Sequence, residues 1–110
     1  MAAASWTSKT GQKFDFQAHP ITANWNDAAG IYMFASQDSS GNWTVYYVGQ
    51  TDSFKNRLPT HERWADAVRS GATTVLACTV TVQTMRDLVE KELCQQLQPN
   101  LNTHHVGKIR

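Results

Sequence analysis

Four side chains between residues 32 and 61 have functional groups that could take part in chemistry. Tyr32 and Tyr47 carry phenols, Arg57 a guanidinium and His61 an imidazole. A guanidinium stays charged and binds phosphate oxygens in two places, which fits a negatively charged phosphorus centre. A phenol has a pKa near 10, so it acts as a base at neutral pH only if a cation or hydrogen bonds lower that value. Arg57 is the nearest candidate for that cation.

Each of these residues also has a purely structural interpretation. Aromatic residues are favoured in strands, so Tyr32 and Tyr47 could be half-buried sheet residues. Arg57 could lie on a solvated helix face, and His61 could pack at the end of an apolar helix stripe. Residue types alone therefore leave both interpretations open.

A predicted hairpin brings the two tyrosines together. Residues 30–36 and 43–49 are rich in β-branched and aromatic residues, and the segment between them has turn chemistry. The strands would be antiparallel, so Tyr32 and Tyr47 could face one site. Strand alternation predicts that Tyr46 lies on the opposite sheet face from Tyr47. Tyr46 would then be an ordinary packing or surface residue.

Two helices and a third strand follow the hairpin. Pro59 predicts a short turn before a main helix that starts near Thr60 and ends at Gly71. Residues 73–82 read as a strand, and a second helix runs from Thr84 to about Leu97. The apolar stripes are predicted to be His61, Trp64, Ala65 and Val68 in the first helix, and Met85, Leu88, Val89, Leu93 and Leu97 in the second.

This order predicts an α+β fold with a small mixed or antiparallel three-stranded central sheet flanked by helices. Residues 1–12 read as a loose tail and residues 13–17 as a short edge strand. The predicted organisation is an N-terminal extension over 1–29, a domain over 30–102 and a C-terminal tail over 103–110. In that tail, the adjacent His104 and His105 are assigned no role.

Net charge, cysteine content and the lack of long apolar segments limit the classes of function that fit this chain. The chain has 110 residues, a formal net charge of +1 and 17% charged residues, so no global positive field attracts nucleic acid. Cys78 and Cys94 have neither zinc-site spacing nor a disulfide framework, which suits a reducing compartment. With no apolar span and no secretory signal, the chain is expected to be soluble and cytoplasmic, with no membrane partner.

The chain resembles the GIY-YIG nuclease family from about Gly30 to Asn102. The likeness depends on a series in the family's order rather than on any single tripeptide. Arg57 lies eight residues past Gly49, and His61 four residues past Arg57. The series consists of Gly30-Ile31-Tyr32, Tyr47-Val48-Gly49, Arg57, His61, Glu90 on a later helix, and Asn102.

The resemblance implies an endonuclease that hydrolyses DNA with one Mg²⁺ or Mn²⁺ ion bound by Glu90. Tyr32 would be the general base or a proton relay, and Tyr47 would hold water and phosphate. Arg57 would stabilise charge, while His61 would donate to phosphate or carry a proton. The products would carry 5′-phosphate and 3′-hydroxyl ends. Gly30, Gly49 and Asn102 would have structural roles at the site.

Several alternatives remain at this point. On a helical wheel Glu92 falls inside the apolar face, so it rivals Glu90 as the metal ligand, because a carboxylate there needs a partner. Lys55 and Arg63 could bind the phosphates of a nucleic acid beside Arg57, or they could lie on a solvated helix face. The function alternative is a non-catalytic nucleic-acid-binding or assembly module, and RNA is a lesser substrate variant. A separate DNA-recognition partner or a homodimer could supply target choice.

Overall fold

A five-stranded antiparallel sheet forms the centre of the computed structural model, which describes residues 3–102. The sheet order is β1-β2-β5-β3-β4, so β3 lies between β5 and β4, and each neighbouring pair is antiparallel. The strands are β1 (Ala4–Thr7), β2 (Lys13–His19), β3 (Gly30–Gln37), β4 (Trp43–Thr51) and β5 (Thr74–Thr79).

The predicted α+β class is confirmed, but the three-stranded sheet is wrong. Residues 4–7, expected to be a loose tail, form β1, and β2 is an inner strand between β1 and β5 rather than an edge. Phe14 and Phe16 give β2 a buried face, and Trp6 covers Phe14 with ring centroids 5.8 Å apart. Because β1 pairs with the outer side of β2, β1 rather than β2 forms this edge of the sheet. The division of the chain at residue 30 stays a prediction, and residues 103–110 lie outside the described part.

Helices cover both faces of the sheet. They are α1 (Phe54–Arg57), α2 (Arg63–Ser70) and α3 (Gln83–Leu97), with 3₁₀ turns at Leu58–Thr60 and Asn100–Asn102. The main helix begins at Arg63 rather than near Thr60, because His61 has an extended backbone with ψ 122°. His61 is therefore outside α2. Within residues 3–102, no helix has the length and apolarity needed to cross a bilayer.

Both predicted apolar stripes are partly wrong. On α2, Val68 is 47% exposed and Ala67 is buried in its place, because the helix starts later and its inward face is rotated. On α3, Val89 and Leu93 are buried as expected, whereas Leu88 and Leu97 are exposed. The buried positions there also include two charged residues with polar partners. Arg86 donates to the Val80 and Thr81 carbonyls, and Glu92 accepts from the Lys9 N–H.

A β-bulge at Tyr46 interrupts the alternation of side chains along β4. Phe34 pairs with Tyr47 and Ala35 with Val45, so Tyr46 is the extra residue in β4. Tyr46 and Tyr47 consequently pack against the same apolar cluster, and the prediction of opposite faces is wrong. The Tyr46 hydroxyl lies 2.9 Å from Ser36 Oγ, so its polar end has a partner in β3.

Asn102 closes the free edge of β4. It is fully buried, its Oδ1 accepts from the Val48 N–H at 2.8 Å, and its Nδ2 donates to the Val48 carbonyl at 2.9 Å. The side-chain amide thereby replaces the backbone of a neighbouring strand. It holds the Asn100–Asn102 turn against β4.

We expect Asn102→Ala to lower the free energy of unfolding by roughly 2–4 kcal/mol, because both backbone groups of Val48 lose their partner in a buried place. Urea unfolding monitored by tryptophan fluorescence measures the loss. Asn56, which is exposed on α1, offers a matched control. Asn56→Ala should change stability by less than about 0.5 kcal/mol. Equal losses in the two variants would refute the role of Asn102.

Candidate active site

A hydrogen bond between Tyr32 and His61 lies at the centre of the candidate site. The Tyr32 hydroxyl is 2.7 Å from His61 Nε2, and the Tyr32 side chain is 1% exposed. His61 Nδ1 accepts the backbone N–H of Arg63 at 3.0 Å. A neutral imidazole whose Nδ1 accepts a hydrogen bond carries its proton on Nε2. His61 therefore donates to the Tyr32 oxygen.

The His61 ring lies in an aromatic pocket. Its centroid is 4.9 Å from that of Phe34, 5.2 Å from Tyr47 and 5.4 Å from Tyr32, all in edge-on arrangements. Burial, followed by the charge of Arg57, lowers the pKa of His61 to about 4. The imidazole is therefore neutral at pH 7, which agrees with the tautomer that the Arg63 amide imposes.

Burial raises the pKa of both tyrosines. The pKa of Tyr32 is well above its ordinary range, with burial as the largest cause and Tyr47 as the next. The charge of Arg57 lowers the Tyr32 pKa, as expected from the sequence, but burial outweighs it. For Tyr47, burial and the charge of Glu90 raise the pKa. Arg57 alone is thus insufficient to produce a phenolate at neutral pH.

The cationic residues of the site are paired with carboxylates. The Arg57 guanidinium donates to both Glu62 oxygens, at 2.8 and 3.0 Å. This bond holds the pKa of Glu62 at about 2. Arg63 donates to Asp66 at 3.0 Å, and Arg69 contacts the same carboxylate. The Arg57 side chain is 36% exposed, so solvent reaches it beside the tyrosines.

Lys55, the third cationic residue of the predicted set, lies on α1. Its side chain is exposed on α1, and its backbone N–H donates to the Asn26 carbonyl. The charge of Arg63, by contrast, contributes to the pKa values of Tyr47 and His61. The structure therefore brings Arg57 and Arg63 to the site, and it leaves Lys55 as a surface residue of α1.

Two glycines make room at the site. A Cβ on Gly49 would lie 2.5 Å from the Tyr32 hydroxyl oxygen, and one on Gly30 would lie 2.2 Å from the Cys78 carbonyl oxygen. Both distances are far inside van der Waals contact. Gly49 thus leaves space for the Tyr32 ring above β4, and Gly30 allows β3 to approach β5.

Of the two candidate glutamates, Glu90 is the one beside the tyrosines. Glu90 is half-buried, accepts from Gln50 Nε2 at 2.9 Å, and its charge raises the pKa of Tyr32 and Tyr47. Glu92 is buried on the side of the β1–β2 turn, where it accepts the Lys9 N–H at 3.0 Å. Glu92 thus has the partner that its position on the inner face requires. The link between Gln50 and Glu90 was not predicted; the position of Gln50 directly after Gly49 was the only available signal.

Any metal at this site would depend on few protein ligands. Among residues 3–102, no group of three or more His, Cys, Asp and Glu side chains is arranged to hold an ion. A single carboxylate that leaves room for waters and phosphate oxygens suits Mg²⁺, which keeps much of its hydration shell. The half-buried carboxylate of Glu90 fits that preference.

Solved structures with this arrangement of strands and helices include the N-terminal endonuclease domain of UvrC from Thermotoga maritima. Its magnesium-bound form matches with a TM-score of 0.56 at 18% identity, covering 71% of this chain and 86% of that one. A tyrosine point mutant bound to its catalytic divalent cation matches with a TM-score of 0.55 at 19% identity, over the same shares. Both are described as GIY-YIG domains. The chain has the GIY-YIG fold.

The resemblance found in the sequence is thus confirmed at the level of the fold. No protein-family model matches the chain, and no curated protein sequence matches it. Within this fold, both tripeptides of the motif lie on the β3–β4 hairpin, and Tyr32 pairs with Gly49 across it.

The pKa of His61 predicts an acid-sensitive stability. In the unfolded chain the imidazole takes up a proton near pH 6.5, whereas the folded state resists protonation until about pH 4. The contribution of His61 is therefore fully present above pH 6.5 and is lost as the pH falls towards 4. We expect wild-type stability to fall more steeply over this interval than that of His61→Gln, as measured by urea unfolding. A ring that titrates at 6.5 or above by NMR would contradict this.

Proposed function

We propose that this GIY-YIG domain is a divalent-metal-dependent endonuclease that hydrolyses DNA phosphodiester bonds with one ion. The observation that carries the proposal is the buried Tyr32–His61 hydrogen bond, with Tyr47, Arg57 and Glu90 around it. The fold match to endonuclease domains bound to a catalytic divalent cation supports the same reaction class. This likeness to endonuclease domains is the reason for proposing DNA as the substrate.

Glu90 would hold the ion, Mg²⁺ or Mn²⁺, with water and phosphate oxygens completing its coordination. When bound, such an ion neutralises charge on the leaving oxygen. Because the charge of Glu90 acts on both phenols, the positive charge of an ion bound to Glu90 would lower the pKa values of Tyr32 and Tyr47.

The remaining steps belong to the side chains of the chain itself. His61 keeps its Nε2–H on the Tyr32 oxygen, which stabilises the phenolate that forms when the phenol loses its proton to solvent. Tyr32 then takes a proton from the attacking water as base or relay, and Tyr47 positions water and phosphate. His61 is thus a neutral donor to Tyr32 in this proposal. The two roles inferred from the sequence, donation to phosphate and proton transfer, stay predictions, and a pKa of about 4 leaves the imidazole neutral at pH 7.

Arg57 would stabilise charge on the phosphate. Its two terminal nitrogens already bind Glu62, so a phosphate has to replace that carboxylate. The exchange is feasible because an exposed ion pair contributes little to stability. Attack of water on phosphorus would break the bond to the 3′ oxygen, which would take a proton from solvent, and would leave 5′-phosphate and 3′-hydroxyl ends. The free thiols Cys78 and Cys94 suit a cytoplasmic enzyme, and a recognition partner or a homodimer would select the target.

A non-catalytic nucleic-acid-binding module with the same fold is the second candidate. The pairing of Arg57 with Glu62 is the observation that favours it, because a paired guanidinium is not poised for phosphate. Against it, each polar position of the motif is occupied. Metal-dependent turnover separates the two candidates.

A plasmid-nicking assay tests the proposal through Glu90. We expect Glu90→Gln to abolish Mg²⁺-dependent cutting and leave the fold intact, since the amide is a poor ligand for a hard cation. Glu92→Gln is the matched control on the same helix. Its amide oxygen can still accept the Lys9 N–H, so cutting should change little. The opposite pattern would assign the metal to Glu92, and wild-type protein that cuts neither DNA nor RNA with metal would overturn the nuclease proposal.

A second prediction concerns the phenol of Tyr32. We expect Tyr32→Phe to slow cleavage by about 10²–10⁴-fold, the usual size of a general acid–base contribution. Because the raised Tyr32 pKa leaves little phenolate at pH 7, the wild-type rate should increase with pH above 7. The Phe variant should lose that increase. Its unfolding free energy should fall by only about 1 kcal/mol, from the unpaired Nε2–H of His61. A variant with wild-type rate would eliminate Tyr32 as the base.

A further inference from the structure

Gln50, the residue after Gly49 in β4, connects β4 to α3 through side-chain hydrogen bonds. Its Nε2 donates to Glu90 Oε1 at 2.9 Å and to Asp87 Oδ1 at 2.8 Å. Both amide hydrogens of Gln50 are thus used by carboxylates. Asp87 and Glu90 lie one helical turn apart, where two negative charges repel each other. The Gln50 amide lies between them.

The orientation of this amide follows from the groups behind it. A guanidinium only donates hydrogen bonds, so Gln83 must present Oε1 to Arg86, which it contacts at 2.7 Å. Gln83 then directs its Nε2 to Gln50 Oε1, at 2.9 Å. Gln50 consequently has its oxygen on Gln83 and its nitrogen on Glu90.

The first member of this series is fixed in the core. Arg86 is 5% exposed, and its Nη1 donates to the carbonyls of Val80 and Thr81, both at 3.0 Å. These two residues follow β5, so the anchor belongs to the sheet. Orientation is therefore transmitted from the end of β5 through two side-chain amides to Glu90.

We propose that Gln50 is a positioning residue for Glu90, and that the series Arg86, Gln83, Gln50 sets the direction of the Glu90 carboxylate. The inference deepens the proposed function, from which it takes the role of Glu90 as the metal ligand. A glutamate side chain has three torsions, and a hydrogen bond to its carboxylate restricts them. Groups hydrogen-bonded to a metal ligand fix its orientation and strengthen metal binding.

Mn²⁺ affinity, measured by electron paramagnetic resonance of the free ion, tests this role apart from activity. We expect Gln50→Leu to bind Mn²⁺ about 10–100-fold more weakly than wild type, the usual cost of losing a hydrogen-bonding partner of a metal ligand. Gln83→Leu should weaken binding in the same direction but less, because it acts through Gln50. Gln95→Leu, the same change at an exposed position of α3, is the matched control and should bind like wild type.

A second measurement separates this inference from the proposed function. The side-chain ¹⁵N order parameter of Gln50 should be high in wild type, towards the value of about 0.85 of a rigid backbone, and lower in Gln83→Leu. If Glu90→Gln binds Mn²⁺ as well as wild type does, the metal assignment of the proposed function fails. The series is then supported or refuted by the order parameter alone. If Glu90→Gln loses Mn²⁺ but Gln50→Leu does not, the positioning role of Gln50 is overturned.

Discussion

The hydrogen bond from His61 Nε2 to the Tyr32 oxygen constrains much of the surrounding structure. A phenol that is buried without a partner costs free energy, so the Tyr32 hydroxyl needs a donor or acceptor inside the molecule. The imidazole can supply one in only one tautomer, which the Arg63 amide selects. This requires the chain to leave the 3₁₀ turn at His61 in an extended conformation and to start α2 at Arg63. The interruption that follows Pro59 therefore positions the imidazole.

The same burial determines the electrostatics of the site. The pKa shifts favour neutral forms of His61 and Tyr32, while each neighbouring charge has a polar partner within the chain. Arg57 is held by Glu62, and Glu90 by Gln50. These two contacts differ in exposure: the Glu62 side chain is 69% exposed, whereas Glu90 is half-buried. An exchange of Glu62 for phosphate is thus a surface event, and the carboxylate proposed to bind metal stays held in place.

The resemblance named Tyr32, Tyr47 and His61 as candidate site residues, and the structure brings their rings together. The hairpin that joins the two tyrosines could be predicted because it depends on local pattern. The place of β2 in the sheet could not be predicted. The alternation of Phe14 and Phe16 indicates a strand, but it does not indicate which strands lie beside it. Burial of Glu92 depends on the Lys9 amide, far away in the chain. The bulge at Tyr46 follows from the pairing of β3 with β4, which alternation alone does not encode.

The edge strand β4 accounts for the precision of the arrangement. Four consecutive residues of β4 make different contacts, because alternate positions face opposite sides of the sheet. The contacts are those of Tyr47 with the His61 ring, the Val48 backbone with Asn102, Gly49 with the Tyr32 ring, and Gln50 with Glu90.

A shift of β4 by a single residue would exchange its two faces and break all four contacts at once. Edge strands are the part of a sheet where such slippage is least resisted, because one backbone edge has no neighbouring strand. The amide of Asn102 binds both backbone groups of Val48 on this edge and so fixes the register there. Asn102 is therefore bound to the strand that carries Tyr47 and Gln50, although it lies in a 3₁₀ turn beyond α3.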